Sequence, residues 1–181
     1  VVVADAIQRR IATPPALRQT PLMPDVHRHP HRVTYAECTI GNHVYYARYL
    51  DLLEEARGAF FRSIGHPLLA LEEQDVIFPV VECHIRYLAP ARYDDELVIE
   101  TRVTDLGRVR VTFGHRILNA AGEVLLEATT EHACAHRTQK LRRVPEELRG
   151  LLDKARSEPA AGAASPHPAL QVPGSKRRLT H

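Results

Sequence analysis

Histidines, cysteines and arginines fall into patterns that invite chemistry at three places in the chain. His27, His29 and His31 form H-x-H-x-H around Pro30, a set of donors that zinc accepts. The flanking chain reads as unstructured and offers no fourth ligand, so these imidazoles are expected to be incidental and solvent-facing. His132, Cys134 and His136 would share one face of a strand. Alternate strand residues stand about 6–7 Å apart, too far for one tetrahedral ion, so packing or pocket lining is expected and no metal site. Arg108, Arg110 and Arg116 line one strand face, while Lys140, Arg142 and Arg143 cluster near the end of the patterned region. A solvated face is the default for both groups, although guanidinium groups also pair well with phosphates.

The chain that must position these groups has 181 residues, room for one domain with one continuous core. A net charge of +2 gives no argument for nucleic acid. Apolar runs are too short to cross a bilayer as a helix. Val1–Val3 are met at once by Asp5, Arg9 and Arg10, the wrong order for a secretory leader. Three widely spaced cysteines argue against a disulfide framework, and a cytoplasmic, reducing location is expected.

Three regions are expected: an extended or disordered arm over 1–30, a folded domain over 31–156 and a flexible tail over 157–181. Within the domain, Val33 to Thr39 is a strand candidate. Tyr45, Tyr49, Leu52, Leu53, Ala56 and Phe60 then recur at helical spacing, with Arg48, Asp51, Glu55 and Arg62 opposite. Strand patterns follow at 76–88, 96–106, 108–118 and 124–138, and Pro145 opens a last helix. One long helix followed by a run of strands predicts an α+β domain, with the helix packed on an antiparallel sheet.

Three segments carry a family resemblance. Residues 35–57 read Y-A-E-C-T-I-G-N-H-V-Y-Y-A-R-Y-L-D-L-L-E-E-A-R, and 86–97 read R-Y-L-A-P-A-R-Y-D-D-E-L. Residues 140–145 read K-L-R-R-V-P. Together they resemble hotdog-fold acyl-CoA thioesterases of the 4-hydroxybenzoyl-CoA type. That family's pattern runs D-x-D-x-x-G-H-V-(N/Y)-N-A-x-Y into a helix ending E-x-A-R, and the resemblance covers about 32–152. It implies a hotdog fold, a long central helix wrapped by a five-stranded antiparallel sheet, in a homodimer or homotetramer with interfacial sites. The implied substrate is an acyl-CoA or acyl-carrier-protein thioester, coenzyme A entering as part of the substrate and no other cofactor being needed. Amides at the start of the central helix, here about His43, Val44 and Tyr45, would polarise the carbonyl.

The resemblance also exposes a gap. The family's carboxylate, the second Asp of D-x-D, aligns with Thr39, and the first with Glu37. Glu54, at the margin of the helix's apolar face, can replace it as the base, and its structural alternative is a pair with Arg57. Glu37 shares a strand face with Thr39 and is the second candidate. His43 or Thr39 could instead activate water without a carboxylate, and a helix cap is an equal expectation for His43. Of Tyr45 and Tyr46, one is expected in the core and one in the acyl pocket. Arg142 and Arg143 are expected on the coenzyme A phosphates. Thioester hydrolysis is the leading expectation, and a binding module that holds acyl thioesters without turnover is the alternative. A dehydratase is weaker, because its Asp-His pair is not evident.

Overall fold

A computed structural model describes residues 26–156. The elements are β1 (His27–Arg32), a one-turn 3₁₀ helix (Tyr35–Glu37), β2 (Cys38–Thr39) and β3 (His43–Val44). Next come α1 (Arg48–Ser63), α2 (Leu68–Glu73), β4 (Val80–Tyr87) and β5 (Glu96–Leu106). β6 (Arg110–Asn119), β7 (Val124–Ala133) and α3 (Glu146–Lys154) complete the domain. Five strands form one sheet in the order β1-β5-β6-β7-β4, every neighbouring pair antiparallel, and β2 with β3 forms a separate ribbon.

α1 buries Tyr49, Leu52, Leu53, Ala56 and Phe60, as their spacing predicts, together with Phe61, against the inner face of the sheet, while Tyr45 falls before the helix and is exposed. Gly65, at φ +81°, lets the chain leave the helix where a side chain would strain. Two apolar clusters result. One gathers Phe60, Phe61, Val103 and Phe113 at the C-terminal end of α1, and the other gathers Leu52, Leu53, Leu97, Ile99 and Leu126 at its N-terminal end. Truncating a residue as enclosed as Phe61 to Ala would cost ~3–5 kcal/mol through lost contacts and the remaining void.

The outer sheet face carries a rung of alternating charge across all five strands. Arg28, Glu100, Arg116, Glu127 and Arg86 stand opposite one another in register. Glu100, only 4% exposed, receives Arg28 on one oxygen at 3.0 Å and Arg116 on the other at 2.7 Å.

Two expectations need correction. The folded unit includes residues 27–30, which pair with β5 as part of β1, so it extends further toward the N-terminus than the boundary at 31. Pro30 is tolerated because β1 is an edge strand and its missing N–H costs no ladder bond on the open side. Val33–Thr39 is not one strand, because Thr34 and Glu37 close a capping box around the 3₁₀ turn. Expectations for 1–25 and 157–181 lie outside the described residues.

Candidate active site

α1 starts without a cap. Ala47 occupies the N-cap position and offers no side-chain acceptor. The Arg48 and Leu50 amides turn back to the carbonyls of Tyr45 and Ala47, whereas those of Tyr46, Ala47 and Tyr49 find no backbone acceptor. Two of these residues, Tyr46 and Tyr49, line an open cleft of about 330 Å³ at the positive end of the helix dipole. Val44, Tyr46, Tyr49, Tyr87 and the Leu88–Pro90 turn line it. The Tyr49 hydroxyl accepts the Ala91 amide at 3.0 Å, and the Tyr87 hydroxyl donates to the Tyr46 carbonyl at 3.0 Å. The cleft is therefore apolar, braced by two phenols, with amide donors at one wall.

Beneath α1, a polar layer separates the two apolar clusters. Thr101, His115, Thr130 and His132 are all buried at inward positions of β5, β6 and β7. His132 Nδ1 lies 3.0 Å from the Phe78 carbonyl, which only accepts, so Nδ1 carries the proton and Nε2 accepts from the Thr130 hydroxyl at 3.0 Å. Thr130 Oγ1 then accepts from His115 Nε2 at 3.1 Å, and His115 Nδ1 accepts from Thr101 at 3.1 Å. Every proton in the chain is assigned with both rings neutral. Burial, with His132 and Arg57 adding to it, takes the His115 pKa down to about 3. Burial followed by Arg57 takes His132 to about 4, against the Phe78 carbonyl, which raises it.

Comparison with known proteins decides the family. A family model described as the thioesterase-like superfamily matches residues 33–152, well over half of the chain. The chain belongs to the thioesterase-like superfamily. A putative acyl-CoA thioesterase of Bacillus subtilis is 34% identical over 102 residues, 56% of this chain and 74% of that protein. An acyl-CoA thioester hydrolase of Escherichia coli is 36% identical over 107 residues, 59% of this chain and 80% of the relative. Among solved structures, a probable thioesterase from Bartonella henselae is 31% identical with a TM-score of 0.64, covering 66% of this chain and 99% of that one. The fold is thus the hotdog fold of this superfamily, with α1 as its central helix.

The residues singled out from the sequence of this thioesterase-like chain fall in different places. Val44 and Tyr46 line the cleft. The Val44 and Tyr45 amides are not helix-start donors, because they bond the carbonyls of Ala91 and Glu37 and the helix begins three residues later. Neither Tyr45 nor Tyr46 is core: they are 46% and 61% exposed, with rings 4.6 Å apart. Thr39 and His43 pair across the β2–β3 ribbon and are exposed on it. Glu37 is held by the Thr34 hydroxyl at 2.8 Å, the Thr34 amide and His31 at 2.9 Å. Burial pushes its pKa up, but the Thr34 and His31 contacts outweigh burial and leave it lowered. Glu54 is exposed on the flank of α1.

Arg142 is spent on the carbonyls of Asp75, at 2.7 Å, and Gln74. It sits beyond the Val80 end of β4, so the strand's length, about 23 Å at 3.3 Å per residue, separates it from Tyr87. Arg143 is exposed in the same segment. His27, His29 and His31 are not loose solvent groups. They face inward from β1, His29 meeting Glu55 at 3.0 Å and His31 meeting Glu37. His132 and Cys134 are buried, but His136 leaves the strand to bind Asp75 at 2.7 Å. Among the described residues no cluster of His, Cys, Asp and Glu is arranged for a metal. The bracing roles of Tyr49 and Tyr87, and Thr101, His115 and Thr130 of the polar layer, escape the sequence reading, whereas Tyr49 and His132 are buried as it expects. The layer's signal was available, since Thr101, His115, Thr130 and His132 interrupt otherwise apolar inward positions.

Proposed function

We propose that this chain hydrolyses acyl-CoA thioesters to a free acid and coenzyme A at the cleft where α1 begins. The observation that carries the reading is the uncapped helix start, with unbonded amides at Tyr46 and Tyr49, two residues that line an apolar cleft roomy enough for an acyl group. Those amides suit the oxyanion that develops on the thioester carbonyl. Acyl-CoA thioester hydrolases among the relatives support the same substrate.

Glu54 is the proposed base. It stands one turn past the cleft on the exposed flank of α1, and helical side chains lean back toward the N-terminus, here toward the cleft. Glu37 is already committed to three hydrogen bonds. Glu54 takes a proton from water as the oxygen attacks the carbonyl carbon. The tetrahedral intermediate then breaks its C–S bond, and the proton passes to the departing thiolate. No resident cofactor enters this scheme.

A homo-oligomer and a cytoplasmic location complete the reading. β4 is an edge strand with exposed Val80, Val81 and Tyr87, a surface suited to a second copy beside the cleft. Among the described residues no helix is long and apolar enough to cross a membrane. The deciding measurement is thiol release from short, long and aromatic acyl-CoAs by purified protein. Turnover of any of them supports hydrolysis; saturable binding with no thiol release would replace it with the acyl-thioester-binding module.

A further inference from the structure

Three tyrosines, Tyr46, Tyr49 and Tyr87, line the cleft, and they differ in what their hydroxyl protons do. Tyr87 spends its proton on the Tyr46 carbonyl at 3.0 Å. Tyr46 is 61% exposed, its ring resting on that of Tyr45. Tyr49 is only 3% exposed, and its oxygen accepts the Ala91 amide at 3.0 Å. Among the described residues, no group accepts the Tyr49 proton. A hydroxyl can donate once and accept twice, so half of this buried group's capacity is committed and its donor is not.

Buried donors inside proteins are nearly always answered, and this one belongs to a residue of the cleft wall. Burial raises the phenol above its ordinary pKa, against the Ala91 amide, so the oxygen keeps its proton near neutral pH. Accepting from an amide polarises the O–H bond and makes it a better donor. The mount is fixed on both sides. The Ala91 carbonyl takes the Val44 amide at 2.9 Å, and the Tyr49 ring meets that of Tyr87 edge-on at 5.6 Å. The phenol is thus a neutral donor held in place before any ligand arrives.

Its counterpart must be a neutral acceptor on the substrate. With the thioester carbonyl on the helix-start amides, every acyl-CoA carries such an acceptor a few bonds beyond its sulfur, the carbonyl of the first pantetheine amide. The methylenes between sulfur and amide suit the apolar lining. We propose that the Tyr49 hydroxyl donates a hydrogen bond to that amide carbonyl, making Tyr49 a substrate-binding residue that distinguishes pantetheine thioesters from plain alkyl ones. The inference rests on the cleft as the thioester site. An oxygen on the acyl group would offer the same chemistry, and the test separates the two.

Butyryl thioesters of three thiols are compared in wild type and Y49F. N-acetylcysteamine keeps the amide, its analogue with methylene in place of N–H keeps only the carbonyl, and pentanethiol lacks both. Wild type should favour the amide and ketone thioesters over the pentyl one by about fivefold in kcat/KM, and Y49F should bring all three to one level. Structural damage alone would lower the three together and preserve the ratio, which would overturn the proposal. Equal wild-type values for the ketone and pentyl thioesters would refute it too, and that comparison needs no variant if Y49F does not fold. A β-hydroxybutyryl pentyl thioester places the oxygen on the acyl side instead. A Tyr49-dependent gain confined to it would overturn the pantetheine assignment. If no thioester is hydrolysed, the hydrolase reading fails, and dissociation constants of the same set by calorimetry judge the hydrogen bond by the same ratios.

Discussion

The Tyr49 hydroxyl holds the Ala91 amide at 3.0 Å, joining the first turn of α1 to the loop that follows the cleft wall. Ala91 is completely buried, and its neighbour Pro90 lines the cleft. One bond between side chain and main chain thus sets the distance between the helix start and the opposite wall.

Tyr49→Phe leaves the buried Ala91 amide without an acceptor. Stability should fall by about 1–3 kcal/mol, measured by urea unfolding. KM should rise more than kcat falls, since the wall moves while the base is untouched. A variant as stable as wild type would show that water replaces the phenol.

Glu54→Gln keeps shape and removes the base. We expect kcat/KM to fall by about 10²-fold or more while acyl-CoA binding, followed by calorimetry, is retained. Glu37→Gln should act differently, lowering stability through the 3₁₀ cap rather than the chemical step. Equal kinetic damage from both variants would contradict this division.

His115 and His132 make stability depend on pH. Both are neutral when folded, with pKa values of about 3 and about 4, while the unfolded chain protonates them at 6.5. Between 6.5 and about 4 the unfolded state therefore binds more protons, and stability falls as pH falls. Urea midpoints at pH 7.5, 6.0 and 5.0 should decline in order. A flat series would mean that a ring is already charged in the fold.

Glu100→Ala strips the shared anion from Arg28 and Arg116. The loss should be about 2 kcal/mol, because a nearly buried carboxylate with charged partners disappears. Arg28→Ala should cost under about 1 kcal/mol, its side chain being 72% exposed. Thermal melts of the two variants would rank them, and the reverse order would contradict the burial argument.

Where periodicity was undisturbed, the fold could be read from sequence. The apolar repeat of α1 marked its buried face, and the alternation from Glu96 to Leu106 matched β5 in full. β1 escaped because its inward residues are His27, His29 and His31, polar groups that find their surroundings on other elements: His29 and His31 meet Glu55 and Glu37, and His27 packs its ring edge-on against Phe60. The helix start was misplaced because carbonyls distant in sequence, those of Ala91 and Glu37, claim the Val44 and Tyr45 amides. Tyr49 was legible as a core residue of the helix but not as a cleft brace, since its partner lies 42 residues away. The histidine layer shows in sequence only as polar interruptions at inward positions; the His132–Thr130 bond lies within β7, but the bonds that join the strands exist only once β5, β6 and β7 are in register.

The charged rung across the outer face also has a role during assembly of the sheet. A strand that slips by two residues keeps its apolar side inward, so the core alone offers little protest. The rung does object: with β6 displaced by two, Glu100 would face Gly114 or Leu118 and its buried carboxylate would lose a cation. The rung thus works as a vernier at its buried member, since the native alignment of β1, β5 and β6 gives Glu100 both of its cations.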